Sequence, residues 1–117
     1  MYNITGGQGP LARAAHAVVE GPEAVLAACE ARGIAYLPFF PLGAGALGAA
    51  HPAMTAAAAR LGATPAQIAI AWLLARSPVM LPIPGTSSPE HVEENWRAQE
   101  LTLTADELEG IGRDARA

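Results

Sequence analysis

A chain of 117 residues with 51% apolar and 15% charged side chains has the composition of one folded domain and excludes a disordered segment. A net charge of −4, with seven arginines and no lysine, argues against nucleic acid and anionic membrane as partners. No apolar run approaches the ~20 residues of a membrane span, no basic segment precedes a signal-like stretch, and the lone Cys29 cannot form an internal disulfide, so the expected compartment is the cytoplasm.

Residues 1–4 are too short for a free-standing strand, and residues 5–10, rich in glycine and ending in Pro10, read as loop. The run Gly6-Gly7-x-Gly9 lacks the later glycine and the acidic partner of a Rossmann fingerprint. Residues 11–20 are alanine-rich, and Leu11, Ala15, Val18 and Val19 are the apolar positions of a weakly specified helix. The helix over residues 22–32 is better specified. Glu23 suits its positive end, and Val25, Leu26 and Cys29 share a stripe. Cys29, among alanines, is expected as a buried small hydrophobe rather than a nucleophile. Gly33 is placed to end this helix in the left-handed conformation. Residues 34–40 are continuously apolar, the pattern of a parallel strand covered on both faces. Helix, glycine and strand make half of an α/β repeat. Prolines 38 and 41 limit that strand, and residues 41–48 form a glycine-rich loop. Taken alone, Phe39 and Phe40 read as core.

Residues 51–60 predict an alanine-rich helix with His51 at its solvated start and Gly62 as its stop. Thr64, Pro65 and Gln67 then make a capping box. The helix it opens carries Ile68, Trp72 and Ala75 on one stripe, with Ala69, Leu73 and Arg76 beside it, to pack on the outside of a sheet. Trp72 reads as a packing residue. Residues 79–83 form a short buried strand, and a turn at Gly85 leads into a helix opening at Ser88-Pro89. A strand ending in glycine and hydroxyls at a helix N-terminus is a ready anion site, although most such turns bind nothing. The last helices cover residues 89 to about 99 and 105 to about 113. The second is capped by Thr104 and Glu107 and has an apolar face of Leu108 and Ile111. No metal-ligand spacing, nucleophile elbow or Walker loop is present, so no metal site is expected.

The turn Ile83-Pro-Gly-Thr-Ser-Ser-x-x-His-x-Glu-Glu-Asn95 resembles the last strand-to-helix turn of the aldo-keto reductases. Three other segments resemble the same family. They are Phe39-Phe40-Pro41-Leu42-Gly43 after the penultimate strand, the helix from Leu103 to Ile111, and Tyr2-Asn3 at the end of the sixth strand. The likeness covers residues 22–113. It implies an α/β fold, a C-terminal fragment of a (β/α)8 TIM barrel with two to three parallel strands and flanking helices. Residues 1–117 would then be one N-terminally truncated portion of a domain that runs to roughly 250 residues when whole.

The resemblance also implies a cofactor, NADP(H) with NAD(H) as the alternative, and a set of residues that hold it. Phe39 would face the nicotinamide, and Leu42 with Gly43 would lie along the pyrophosphate. Gly85, Thr86, Ser87 and Ser88 would surround the adenosine phosphate, with His91 reaching the same group. Glu94 and Asn95 would hold the adenine. Hydroxyls and N–H groups suit phosphate, and an acceptor–donor pair suits adenine. Many members place Lys or Arg at the positions of Gly85 and His91, and neither position carries a permanent charge here.

Members of the family reduce aldehydes or ketones to alcohols with an Asp, a Tyr, a Lys and a His carried on the first four strands. This chain has no lysine, and Tyr2 and Tyr36 lie in other segments, so no catalytic residue is expected in it. A small carbonyl compound would be the substrate of the intact enzyme. Two rival readings remain: a non-catalytic dinucleotide- or partner-binding module, and a gene fragment without independent function. Strands left without neighbours are expected to promote self-association through their edges.

Overall fold

The computed structural model describes residues 22–38 and 51–114. The predicted helix over residues 11–20, the loop over 41–48 and the last two residues of the first strand lie outside them. Among the described residues five α-helices follow in order: α1 (Pro22–Ala31), α2 (Pro52–Leu61), α3 (Pro65–Arg76), α4 (Pro89–Arg97) and α5 (Ala105–Asp114). A 3-10 turn, Ala98–Glu100, continues α4.

The helix ends follow local chemistry. Gly33 and Gly62 take φ of 63° and 61°, the left-handed conformation that closes a helix without a Cβ clash. At the start of α3, Thr64 Oγ1 accepts from the Gln67 backbone at 3.3 Å, while Gln67 Oε1 accepts from the Thr64 backbone at 3.0 Å. The same reciprocal pair forms between Thr64's later counterpart Thr104 and Glu107, opening α5. From the far end of α5, Asp114 Oδ2 accepts the Ala53 N–H at 3.0 Å and so closes the first turn of α2.

Helix α3 is the centre of packing, touching α2, α4, α5 and the 3-10 turn. Ile68, Ala69, Ile70, Ala71, Trp72 and Leu73 are all buried, so Ile70 and Ala71 widen the buried face beyond the two adjacent stripes expected. The reason is that α3 is covered by other helices and not by one face alone. Trp72 also does more than fill space. Its Nε1 donates to the Leu108 carbonyl at 3.0 Å, and Arg76 lies 5.7 Å over its ring. Arg76 reaches on to Glu23 of α1 at 2.8 Å.

The two predicted strands meet in the expected parallel sense, but at one bridge, Tyr36 to Met80, and no longer ladder forms among the described residues. Tyr36 N–H donates to the Val79 carbonyl at 2.8 Å, and Leu81 N–H donates to the Tyr36 carbonyl at 2.9 Å. The next rung needs an N–H at position 38, where proline has none. Burial on both faces is not found either. Met80 and Pro38 are buried, whereas Ile34, Leu37, Leu81 and Ile83 are about half exposed. Among the described residues, Met80 and Tyr36 join the helical core, whereas Leu37 and Leu81 are exposed.

Two smaller expectations also change. Cys29 is only partly buried. His51 is half-buried rather than solvated, and its Nδ1 is shielded from solvent without a hydrogen-bond partner.

Candidate functional site

The turn over residues 84–88 places Gly85 and Thr86 beside His91, Glu94 and Asn95 of α4, along a groove of about 450 Å³. Its opposite wall is Thr64, Pro65 and Ala66, the start of α3. Two helix N-termini therefore converge on one cleft, and its volume lies within the ~300–1,000 Å³ of small-molecule sites. Thr64 to Ala66 carry no motif that marks them as site residues. Their capping box is legible locally, but its nearness to α4 is set by packing. Gln67 makes that link, donating from Nε2 to the Glu94 carbonyl at 2.9 Å.

The hydrogen bonds at the start of α4 differ from those of an open anion site. Ser88 N–H donates to Thr86 Oγ1 at 3.1 Å, and His91 N–H donates to Ser88 Oγ at 3.4 Å. The Ser88 hydroxyl donates its one hydrogen to Glu90 Oε2 at 2.7 Å. Pro89 has no N–H to offer. Most of the first-turn donors that a phosphate would use are thus already satisfied within the protein. Glu90 itself is held below the ordinary carboxylate range, chiefly by the Ser88 hydroxyl, then by its own backbone N–H and by the charge of His91. It is ionised near neutral pH.

The other expected residues fall as follows. Thr86 Oγ1 lies 3.4 Å from His91 Nδ1, so these two share one end of the groove. Glu94 and Asn95 lie along it, and Ser87 is exposed outside it. Gly85 lines the groove, and a Cβ added there would meet nothing within 4 Å, so its backbone stays open to close approach. Phe39, Leu42 and Gly43 lie outside the described residues, as does Tyr2. Tyr36 is half-buried, and its pKa is pushed above 10.0 by burial first, then by Cys29 and Glu23. A proton donor tuned for catalysis near neutral pH would be shifted the other way. Among the described residues no group of three or more His, Cys, Asp or Glu could hold a metal ion, and no helix is long and apolar enough to cross a membrane.

The described residues pack helices against one parallel bridge and set a groove between two helix N-termini, and comparison with known proteins gives this fold its family. Residues 16–113 match the model of the aldo/keto reductase family, and the chain belongs to that family. It is 48% identical over 95 residues to pyridoxine 4-dehydrogenase of Escherichia coli, a match covering 79% of this chain and 33% of that protein. It is 43% identical over 99 residues to an uncharacterized oxidoreductase of Schizosaccharomyces pombe, covering 80% of this chain and 32% of the relative. In three dimensions it resembles a thermostable aldo-keto reductase solved with the inhibitor epalrestat, with a TM-score of 0.73 and 31% identity. That match covers 80% of this chain and 35% of the other. The chain thus spans about a third of the length of each of these relatives.

Proposed function

We propose that this chain is the C-terminal, cofactor-binding portion of an aldo-keto reductase and holds the adenosine end of a nicotinamide dinucleotide. In the whole enzyme the dinucleotide supplies hydride for reduction of a small aldehyde or ketone. The observation that carries this reading is the groove between the starts of α3 and α4. It gathers Gly85, Thr86, His91, Glu94 and Asn95, the residues that the family likeness assigns to the adenosine end. An open glycine, a hydroxyl, an imidazole and an amide suit a ribose with its phosphates and an adenine ring. Phe39, Leu42 and Gly43 are proposed for the nicotinamide and pyrophosphate on the likeness alone, and Ser87 and Ser88 for the adenosine phosphate on the same ground. Within this chain Ser88 acts first as the cap of α4.

The absence of lysine and the raised pKa of Tyr36 support a chain that binds and orients cofactor without transferring a proton. Calorimetric titration with NADH and NADPH tests the reading. Binding of at least one, weakened in Asn95→Ala by the few-fold to tenfold of one lost hydrogen bond of about 0.5–1.5 kcal/mol, is expected. Absence of binding by the wild-type chain would discard it.

A further inference from the structure

We propose that Gln67 is a positioning residue for the dinucleotide: it holds α4 where Asn95 can meet the adenine, through an amide that a carboxylate could not replace. The proposal rests on the reading of the groove as the adenosine site.

Three observations lead to it. The first is the place of Gln67 in the fold. It is half-buried and does not line the groove, whereas Thr64, Pro65 and Ala66 just before it, and Glu94 and Asn95 of α4, all do. Its effect on a ligand must therefore pass through α4. The second is the backbone of α4. A continuing α-helix would direct the Ala98 N–H to the Glu94 carbonyl. The helix tightens into the 3-10 turn instead, and the Ala98 N–H donates to the Asn95 carbonyl. The Glu94 carbonyl accepts from Gln67 Nε2 at 2.9 Å, across 27 residues of sequence. An acceptor released near the helix end is thereby tied to the start of α3, one residue before Asn95.

The third is the residue type. A capping box needs only an acceptor at its third helical position, and a carboxylate suits the positive end of a helix better than an amide. The matching box of α5 has the carboxylate. Glu107 Oε2 accepts from the Thr104 backbone at 2.8 Å, and its Oε1 accepts from Arg60 at 2.6 Å. Beyond its cap, Glu107 thus meets a cation. Gln67 meets a carbonyl oxygen, and of the two side chains only the amide can donate to it. Its Oε1 serves the Thr64 N–H at 3.0 Å, so the cap accounts for one end of the side chain and the hold on α4 for the other.

Gln67→Glu separates the two ends, because it keeps the acceptor of the capping box and turns the donor into a second acceptor. Calorimetric titration with NADH and NADPH, and a melting curve, are needed for the wild type, Gln67→Glu, Asn95→Ala, the double variant and Thr104→Ala. Gln67→Glu is expected to weaken whichever cofactor the wild type binds by roughly three- to tenfold, the weight of one hydrogen bond. The double variant should bind no more weakly than Asn95→Ala alone, since Gln67 acts through that residue. Thr104→Ala, which breaks the distant box of α5, should melt lower with unchanged affinity. Wild-type affinity in Gln67→Glu would overturn the proposal and leave the adenosine site in place. So would losses that simply add in the double variant, or an equal loss in Thr104→Ala, which would trace the effect to stability. Binding of neither cofactor by the wild type would overturn the site reading, and the role of Gln67 with it.

Discussion

Gln67 donates its side-chain amide to the Glu94 carbonyl across 2.9 Å, while its Oε1 accepts the Thr64 N–H at 3.0 Å. One side chain thus closes the start of α3 and fixes α4 against it, which sets the width of the groove between them.

Gln67→Ala is therefore expected to act twice. Loss of the capping box should destabilise the fold by about 1 kcal/mol, a typical cost for a removed cap. Loss of the tie to Glu94 should also weaken dinucleotide binding several-fold. Urea unfolding and calorimetric titration of the same variant separate the two. A variant that loses stability with unaltered cofactor affinity would show that the tie does not shape the groove.

Trp72 anchors α5 to α3 through its Nε1 bond to the Leu108 carbonyl at 3.0 Å. Trp72→Phe should keep most of the buried ring but leave that carbonyl without its partner, at a cost of about 1–3 kcal/mol. Trp72→Ala should cost more, about 3–5 kcal/mol, because a cavity is added to the loss. Denaturant midpoints of the two variants check the order. Similar midpoints would mean that the hydrogen bond, and not the ring, carries the contact.

What could be read from the sequence divides along physical lines. Caps and stops were legible because their partners lie within four residues. Gly33, Gly62, Thr64 with Gln67, Ser88, and Thr104 with Glu107 all act as their types and spacings predict. The turn over residues 84–88 was legible as a motif, but its hydrogen-bond pattern was not. Glu90 takes the Ser88 hydroxyl from two residues away, and nothing in the residue types marks that pairing. The strands were overread. Apolar residues at 34 and 81 mark a strand meant for two covered faces, but cover is a property of neighbours, and Pro38 breaks the ladder before it lengthens. The Trp72–Leu108 and Gln67–Glu94 contacts span 36 and 27 residues and have no local signal.

Arg60 and Glu107 join α2 to α5 through a bidentate pair, with contacts of 2.6 and 2.7 Å. The pair, together with the Thr104 backbone, lowers the Glu107 pKa from 4.5 to about 2. A carboxylate whose pKa falls on folding adds stability that is fully present above its unfolded value and is lost as pH falls through the folded one. Glu107→Gln should accordingly melt below the wild type at pH 7, with the gap shrinking between pH 4.5 and about 2. Arg60 is 46% exposed, so salt should shrink the gap at pH 7 as well. Melting curves across pH check this. A gap that stays constant down to pH 2 would place the effect in side-chain packing.

The open face of the chain carries the last prediction. Leu81, Val92 and Trp96 are 52%, 55% and 69% exposed, and with Ile70, Leu74, Pro82 and Pro84 they line an apolar groove of about 360 Å³. Helix α4 places Val92 and Trp96 four residues apart on one side and buries none of its residues, so an exposed apolar pair stands there for another surface to meet. Edge pairing is the less favourable route to association. In the bridge with Tyr36, Val79 and Leu81 direct their backbone groups toward it. By alternation Pro82 then faces the free edge, where it offers no N–H. Self-association is thus expected through the apolar groove. Light scattering at micromolar concentration should rise with concentration and fall in Trp96→Lys, while Pro82→Ala, which restores an edge donor, should change it little. An increase in Pro82→Ala with no effect of Trp96→Lys would assign association to the strand edge instead.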